Sequence, residues 1–247
     1  MELRGRRALV TGAGIRVGRS IAETLMRRGV HVAVHYAHSA DAARAVAGLG
    51  ASLGVNTVTL AADLGDADAA RALAATAAAA LGGLDILVNN AAIMEQQQIP
   101  DVAPADWDRA MNLNLRGPFF VAQGAAAAMP AGGAIVNIAD LAAFERWTSY
   151  AVHCISKAGI VVMTELMAKA FAPRIRVNAI APGVTMSEAT KKIVPDFAIK
   201  GLKAGSPMGM TLEPDDLTGT AVYLACEDSR LMTGQTLVVD AGVWLNG

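Results

Sequence analysis

Short apolar, β-branched runs alternate with longer helical patterns along the 247 residues of the chain. The candidate strands are residues 8–10, 30–35, 56–61, 86–89, 134–138, 176–180 and 236–239. The candidate helices are residues 17–28, 40–49, 66–81, 106–129, 150–171 and 213–226. Apolar strands separated by helices are typical of a parallel sheet buried on both faces. The pattern predicts an α/β fold, a doubly wound parallel sheet of about seven strands with helices on both faces, in a single domain over residues 1–247.

The composition narrows the class of protein and its partners. Hydrophobic residues make up 53% of the chain and charged residues 17%, which favours further burial between subunits. The net charge is −1 and the basic residues are dispersed, so no nucleic-acid partner and no membrane surface are expected. Cys154 and Cys226 are too few for a disulfide framework or a zinc site, and no metal is expected. The charged N-terminal segment is not typical of a signal peptide, so a cytoplasmic location is expected.

One stretch, residues 186–206, interrupts the alternation of strands and helices. It places Pro195 inside a weakly amphipathic segment that also carries Lys191, Lys192, Lys200 and Lys203. Two interpretations are left open, a helical lid over a cleft and a solvated surface helix.

A glycine-rich turn, Thr11 to Gly18, directly follows the first candidate strand and opens the first candidate helix. Glycines let the backbone turn sharply and approach a pyrophosphate, while free N–H groups at the start of a helix attract its charge. A dinucleotide is therefore the expected cofactor. The second strand ends without an acidic residue for a ribose 2′-hydroxyl. Arg16, His38 and Ser39 can instead surround a 2′-phosphate, which favours NADP(H).

Three residues capable of acid–base chemistry are expected to converge at the end of a strand. Asp140 follows the apolar run 133–139, and His153 and Lys157 are four residues apart on one face of a helix. An imidazole has an ordinary pKa of about 6.5, so it is a usable acid or base near neutrality. Lys157 would favour the neutral ring and Asp140 the charged ring. The sequence leaves open which of them prevails.

These motifs, in this order, resemble those of the short-chain dehydrogenases/reductases. The turn is similar to the family's Thr-Gly-x-x-x-Gly-x-Gly, with Arg16 in place of a glycine, and Asn89-Asn90-Ala91-Ala92, Pro182-Gly183-Val184-Thr185 and Asp240-Ala241-Gly242 match later motifs. The resemblance implies a Rossmann-like fold and a Ser-Tyr-Lys site in which Asp140 replaces serine and His153 replaces tyrosine. It places Lys157 at the nicotinamide ribose and makes Asn114 the support of that lysine.

The resemblance also implies a set of cofactor-binding residues and an assembly. The cofactor-binding residues are Gly12, Arg16, Val17, Gly18, Tyr36, His38, Ser39, Asp63, Leu64, Asn90, Ala91, Lys157, Pro182, Gly183 and Val184. The assembly is a homotetramer, for which the small residues 124–128 would allow close contact between helices of different subunits.

Several details are similar to the pteridine reductases within this family. They are Arg16 in the turn, Ser39 after His35-Tyr36, Asp140, Glu145-Arg146, and Pro207-Met208-Gly209 leading to Glu213. This resemblance implies NADPH-dependent reduction of a C=N bond in a pterin-like substrate. The implied substrate-binding residues are Arg16, Met94, Asp140, Trp147 and His153. Two residues depart from the branch, because His153 stands in place of the proton-donating tyrosine and Met94 in place of the ring-stacking aromatic residue.

Three functions are left open. The first is an NADPH-dependent oxidoreductase that reduces a pterin-like or other cyclic C=N or C=O compound, with His153 as proton donor. The second is a protein that binds NADP and a pterin-like ligand without redox turnover. The third is a non-redox isomerase, dehydratase or hydrolase that uses Asp140 and His153. Tyr150, one turn before His153, is an alternative donor, although a packing role is favoured.

Overall fold

The structure, a computed structural model, describes residues 2–187, 191 and 194–246. Its centre is one parallel sheet of seven strands in the order β3-β2-β1-β4-β5-β6-β7. The strands are β1 (Arg7–Val10), β2 (His31–Tyr36), β3 (Thr57–Ala61), β4 (Ile86–Asn89), β5 (Gly133–Ile138), β6 (Ile175–Pro182) and β7 (Thr236–Val239). Every predicted strand is present, and the predicted sheet is confirmed.

Helices cover both faces of the sheet. They are α1 (Arg16–Arg27), α2 (Ala40–Leu53), α3 (Ala67–Leu81), α4 (Pro104–Met111), α5 (Gly117–Ala128), α6 (Ala142–Glu145), α7 (Ala151–Phe171), α8 (Asp196–Ala204) and α9 (Thr218–Ala225). Buried apolar residues of α1, α2 and α9 form a core on one face, and those of α3, α5 and α7 form a core on the other. Strands that are apolar on both sides need both layers. The fold is therefore the doubly wound, Rossmann-like fold that was predicted.

A π-helical turn, Asn112–Arg116, joins α4 to α5, where the sequence predicts one unbroken helix over residues 106–129. Pro118 explains the interruption, because it has no N–H to donate to the carbonyl four residues back and its ring disfavours a regular turn. The neighbouring Gly117 packs tightly, since a Cβ there would lie 2.5 Å from the carbonyl oxygen of Leu64. The π turn carries Asn114, and such turns are frequent at functional sites.

The helices α3 and α5 approach each other closely within the chain. A Cβ on Gly124 would lie 2.3 Å from the carbonyl oxygen of Arg71 on α3, so only glycine permits this approach. The sequence offered residues 124–128 as a surface for contact between subunits. That interpretation is wrong for Gly124, because the residue serves packing inside the chain.

By length and composition, α7 is the one helix among residues 2–187, 191 and 194–246 that is apolar enough to cross a membrane. Of its most apolar window, 56% is buried inside the fold. The buried side chains of α7 belong to the core on one face of the sheet. Packing against the sheet thus accounts for much of the apolar character of this helix.

The helix α8 forms the described part of the interrupted segment 186–206, while residues 188–190, Lys192 and residue 193 lie outside the described residues. On its outer side Phe197 is 78% exposed. On its inner side Leu202 lines a cavity of about 470 Å3 together with Val184, which follows β6. A helix over a cavity at the end of a strand supports the lid interpretation, which stays a prediction.

Candidate active site

The loops that follow β1, β2, β4, β5 and β6 lie at one edge of the sheet, because its strands are parallel. Ligands of open α/β sheets bind outside this carboxyl edge, at the point where the strand order reverses. Here the reversal is at β1, which pairs with β2 on one side and with β4 on the other. The glycine turn after β1 and the loop after β4 therefore flank the expected cofactor site.

Hydrogen bonds fasten the glycine turn to the loop after β4. The Thr11 hydroxyl accepts from the backbone N–H of Asn90 at 2.8 Å and of Ala91 at 3.1 Å. The side-chain amide of Asn90 donates to the carbonyl oxygens of Thr11 at 2.9 Å and Gly12 at 3.3 Å. Asn90 and Ala91, both expected at the cofactor site, thus hold the turn in place.

His35 holds the other side of the turn. Its ring Nδ1 accepts from the backbone N–H of Gly12 at 3.1 Å, so Nε2 carries the proton and donates to the carbonyl oxygen of Ala62 at 3.1 Å. Burial lowers the pKa of His35 below its ordinary value, and the bond to Ala62 partly opposes this shift. The neutral ring supports the turn, since a protonated Nδ1 would have no lone pair to accept with.

The start of α1 fits the diphosphate of a dinucleotide. No side chain caps this N-terminus, and Ile15 occupies the cap position in an extended conformation. No side chain among the described residues therefore competes with an anion for the first N–H groups of the helix. Gly12 has a φ of 62°, and a Cβ on Gly18 would lie 2.3 Å from the Gly12 carbonyl oxygen. Both glycines are required by the turn, and Val17 follows Arg16 on the first turn of α1.

The residues expected at a 2′-phosphate come from two adjacent segments. Arg16 is exposed and has a φ of 51°, a left-handed conformation that costs a residue other than glycine about 1–2 kcal/mol. A Cβ on Gly14 would lie 2.9 Å from Oγ of Ser39, so the loop after β2 lies against the turn. Tyr36 ends β2, and His38 is exposed in the loop that follows.

The two expected cofactor-binding residues that follow β3, Asp63 and Leu64, differ in exposure. Asp63 is exposed, and its Oδ1 accepts from the backbone N–H of Gly65 at 2.8 Å. The Leu64 side chain is 1% exposed and belongs to the apolar core. Only the backbone of Leu64 is therefore left to contact a cofactor.

Asn114 ties the π turn to the loop after β4. Its Oδ1 accepts from the backbone N–H of Ile93 at 2.9 Å, and its Nδ2 donates to the Ile93 carbonyl oxygen at 2.8 Å. The same Nδ2 donates to the Ser156 hydroxyl of α7 at 3.2 Å. Asn114 is buried, and it fixes the Ile93 carbonyl beside the first turns of α7.

The His153 ring meets acceptors at both nitrogens. Its Nδ1 lies 3.2 Å from the carbonyl oxygen of Ile93, and its Nε2 lies 3.3 Å from Oδ2 of Asp140. A carbonyl oxygen can only accept, so Nδ1 carries a proton and donates it. An ionised carboxylate also only accepts. Both contacts are therefore satisfied when the ring is an imidazolium, or when one proton lies between Nε2 and Asp140.

The carboxylate of Asp140 is engaged on both oxygens. Oδ1 accepts from the backbone N–H of Ala142 at 2.9 Å, at the start of α6, while Oδ2 faces His153. The side chain of Asp140 is 24% exposed, compared with 5% for His153. Asp140 was expected to hold the substrate, and its position between solvent and the imidazole also allows proton transfer.

Lys157 lies one turn after His153, and its ammonium donates to the carbonyl oxygen of Ile138 at 2.7 Å. The side chain is 4% exposed. Burial lowers the pKa of Lys157 to about 8, and the negative charge of Asp140 opposes this shift. The ammonium is thus fixed at the end of β5, where the family resemblance places the group that holds the nicotinamide ribose.

The remaining substrate candidates are Trp147, which precedes α7, and Met94. The Trp147 ring is half-buried; its Nε1 donates to the Glu145 carboxylate at 2.6 Å, and its edge meets Tyr150 at 6.3 Å between ring centroids. This ring contact supports the packing role of Tyr150. Met94 directly follows Ile93 and is 47% exposed, so it is accessible to a ligand.

The segment Pro182, Gly183 and Val184 lies beside the loop that carries Asp140. The Pro182 carbonyl oxygen accepts from the backbone N–H of Leu141 at 2.9 Å, and the Gly183 N–H donates to the carbonyl oxygen of Val239 at 2.8 Å. No group of three or more metal-ligating side chains occurs within residues 2–187, 191 and 194–246.

Comparison with known proteins agrees with this geometry. A family model described as enoyl-(acyl carrier protein) reductase matches residues 12–244. The 3-oxoacyl-[acyl-carrier-protein] reductase FabG of Staphylococcus aureus is 33% identical over 241 residues, 96% of this chain and 98% of the relative. Galactitol 2-dehydrogenase of Agrobacterium fabrum is 34% identical over 260 aligned positions that cover 100% of both chains. The angucycline C-6 ketoreductase LanV, whose structure contains bound NADP, is 35% identical in sequence. Its structure matches with a TM-score of 0.91 over 99% of this chain and 97% of that one.

The chain belongs to the short-chain dehydrogenase/reductase family. As a member of this family it is an oxidoreductase that uses a nicotinamide dinucleotide. The named relatives differ in what they act on, since one is a 3-oxoacyl reductase, one a galactitol dehydrogenase and one an angucycline ketoreductase. Family membership therefore leaves the substrate open.

Two positioning groups of this short-chain dehydrogenase/reductase were missed by sequence reasoning. The backbone carbonyl of Ile93 orients His153, and a backbone group has no signal in a residue pattern. His35 supports the glycine turn, yet it lies in a buried strand and reads as part of an apolar run. The histidine itself was the available signal. A polar residue inside a buried apolar strand needs a hydrogen-bond partner, which indicates a positioning role.

Stability is expected to fall as the pH drops below about 6.5, the ordinary pKa of histidine. Since the pKa of His35 is lowered in the folded chain, the unfolded chain binds a proton that the buried ring resists. The contribution of His35 is therefore complete above pH 6.5 and is lost as the pH falls towards the folded pKa. Urea unfolding between about pH 5 and pH 8 measures it.

His35→Asn is the matched control. The Asn oxygen can accept from the Gly12 N–H as Nδ1 of the histidine does, but it does not titrate in this range. The variant should show a smaller loss of unfolding free energy at acid pH than the native chain. Equal slopes for both proteins would exclude His35 as the titrating group.

Proposed function

We propose that this chain is an NADPH-dependent reductase of a cyclic C=O or C=N compound, including pterin-like compounds, with His153 as the proton donor. The observation that carries the proposal is the surroundings of the imidazole, with the Ile93 carbonyl 3.2 Å from Nδ1 and the Asp140 carboxylate 3.3 Å from Nε2. Two acceptors favour a ring that bears a proton on each nitrogen. Such a ring has a proton to give at Nε2.

A bound reduced nicotinamide supplies the hydride. The residues of the chain supply the proton and the orientation. Nε2 of His153 donates to the substrate oxygen or nitrogen on which negative charge develops. The N–H bond at Nε2 breaks and an O–H or N–H bond forms on the product. A neutral imidazole remains, still donating from Nδ1 to the carbonyl of Ile93.

His153→Ala tests the proposal. We expect kcat to fall by about 10²- to 10⁴-fold, the range for loss of a general acid, with little change in the KM for NADPH. The measurement is NADPH oxidation followed at the nicotinamide absorbance, with an oxidised pterin, a dihydropterin, a cyclic ketone and a 3-oxoacyl thioester as substrates.

Tyr150→Phe is the control. Tyr150 lies at the start of α7 and has a hydroxyl that could also donate a proton, but it is favoured as a packing residue. It should keep kcat close to that of the native enzyme. Full turnover by His153→Ala together with loss of turnover in Tyr150→Phe would assign the donor role to Tyr150 instead.

A second candidate is a protein that binds NADP and a ligand without turnover. It is favoured by the burial of His153 and by the engagement of both ring nitrogens within the protein. Tight NADPH binding without hydride transfer to any of the four substrates would support it.

Product formation without a change at the nicotinamide absorbance would indicate a non-redox use of Asp140 and His153.

The preference for NADP(H) over NAD(H) rests on charge at the 2′-phosphate position. Arg16 is exposed on the glycine turn, against which Ser39 lies, and β2 ends without an acidic residue. The LanV structure contains NADP. Arginine suits phosphate because its planar fork donates two parallel hydrogen bonds.

Arg16→Gly should weaken NADPH binding and leave NADH binding nearly unchanged. Loss of charged hydrogen bonds worth about 1.5–3 kcal/mol corresponds to roughly 10- to 150-fold in Kd for NADPH. The fold should be retained, because glycine adopts a φ of 51° without strain. Fluorescence titration with both cofactors measures the effect.

Arg19→Ala controls for the general loss of one positive charge, since Arg19 lies on the same helix and is paired with Glu23. It should change both affinities little. A loss that is equal for NADPH and NADH in Arg16→Gly would contradict the assignment.

We also propose that the chain assembles as a homotetramer, as the family resemblance implies. Ile155, Val162 and Leu166 are 46%, 55% and 62% exposed. Their spacing of seven and four residues places them on one face of α7. An exposed apolar stripe on a long helix favours burial against another subunit.

Leu166→Glu should reduce the oligomer to smaller species, because a charge in an apolar interface would lose its hydration. Light scattering coupled to size-exclusion chromatography measures the mass. Glu165→Gln, one position away from the stripe, should leave the mass unchanged. A tetramer in both variants would exclude this face of α7 as an interface.

A further inference from the structure

We propose that Asp140 is the proton relay of the site, taking protons from solvent and passing them to Nε2 of His153 without passage through Lys157. This inference rests on the proposed role of His153 as proton donor. It assigns Asp140 a function in each catalytic cycle, beyond that of orienting a substrate.

Nε2 is the nitrogen of His153 that is free to exchange its proton. Asn114 holds the Ile93 carbonyl with a hydrogen bond of 2.8 Å, and Nδ1 of His153 donates to the same oxygen at 3.2 Å. A carbonyl oxygen has two lone pairs and accepts both donors. The Nδ1 proton is thus retained in a structural bond, and Nε2 is the nitrogen free to lose and regain a proton.

Asp140 lies between Nε2 of His153 and solvent. The backbone N–H of Ala142 fixes Oδ1 at 2.9 Å, and this bond directs Oδ2 to Nε2 at 3.3 Å. The imidazole is 5% exposed, whereas the Asp140 side chain is 24% exposed. Solvent therefore reaches the carboxylate more readily than it reaches the ring.

Lys157 is held away from solvent. Its Nζ is bonded to the Ile138 carbonyl at 2.7 Å, and its side chain is 4% exposed. The lysine is thus less accessible to water than Asp140 is. Lys157 Nζ is engaged by the Ile138 carbonyl, whereas Oδ2 of Asp140 faces Nε2 of His153 directly.

In this relay, each proton that Nε2 gives away is replaced by a proton from solvent. When Nε2 has given its proton to the product, a proton from solvent binds Oδ2 of Asp140, and an O–H bond forms. That bond breaks as the N–H bond at Nε2 forms again, and the carboxylate is restored. One solvent proton enters for each proton that leaves in product, and no electrons are transferred in the relay. Two other titratable groups interact with the charge of Asp140, namely Cys154 and Lys157, both on α7.

The first experiment needs no substrate. ¹⁵N NMR of the histidine rings, at about pH 6 and with His153→Gln used to assign the signals, reports which nitrogens of His153 carry protons. The native protein should show protons on both nitrogens. In Asp140→Asn the Ala142 N–H holds the amide oxygen, so the NH₂ group faces Nε2 and the ring should be neutral with its proton on Nδ1.

An unchanged ring spectrum in Asp140→Asn would overturn the proposal. Lys157→Gln tests the alternative route and should keep the native spectrum of His153. Loss of the Nε2 proton in Lys157→Gln, with Asp140→Asn unaffected, would place the relay at the lysine.

The second experiment uses turnover. Asp140→Asn should lower kcat by about 10²- to 10³-fold, in the range for proton transfer by a positioned group. In Asp140→Ala, added formate should restore part of kcat, whereas it should not affect the native enzyme. If His153→Ala is inactive while Asp140→Asn keeps native turnover, the relay is wrong and the donor assignment stands. Full turnover by His153→Ala would overturn both.

Discussion

The carbonyl oxygen of Ile93 is the point at which three parts of the candidate active site meet. It accepts from Asn114 in the π turn and from Nδ1 of His153 on α7, and it belongs to the loop after β4. Since a carbonyl oxygen can only accept, it decides which ring nitrogen of His153 keeps its proton. The direction of the imidazole, and thus the chemistry available at Nε2, depends on this one backbone group.

The loop after β4 also links His153, the proposed proton donor, to the expected cofactor site. Asn90 and Ala91 hold the glycine turn through Thr11, and Ile93, two residues further on, holds His153. A movement of this short segment would shift both ends of the reaction together. Its rigidity has a physical basis, because Asn114 pairs with both the N–H and the carbonyl of Ile93. Accurate placement of reacting groups depends on such support.

The sequence predicts the sheet well, because strands buried on both faces must be apolar throughout. It also predicts that Asp140, His153 and Lys157 come together, since helical spacing and the end of a strand are local properties. It does not predict the π turn, because the effect of Pro118 on a helix depends on packing around Gly117 and Leu64. Nor does it predict the proton on Nδ1, since the acceptor is a backbone atom sixty residues away in the chain.

Asp140 and His153 are best understood as a pair, since Oδ2 of the carboxylate lies 3.3 Å from Nε2 of the ring. A phenol presents one polar atom, whereas an imidazole presents two, and here one of them is used to fix the ring. The other polar atom, Nε2, faces the Asp140 carboxylate, which can only accept a hydrogen bond when ionised. The Ile93 carbonyl and the Asp140 carboxylate are thus two acceptors, one for each ring nitrogen.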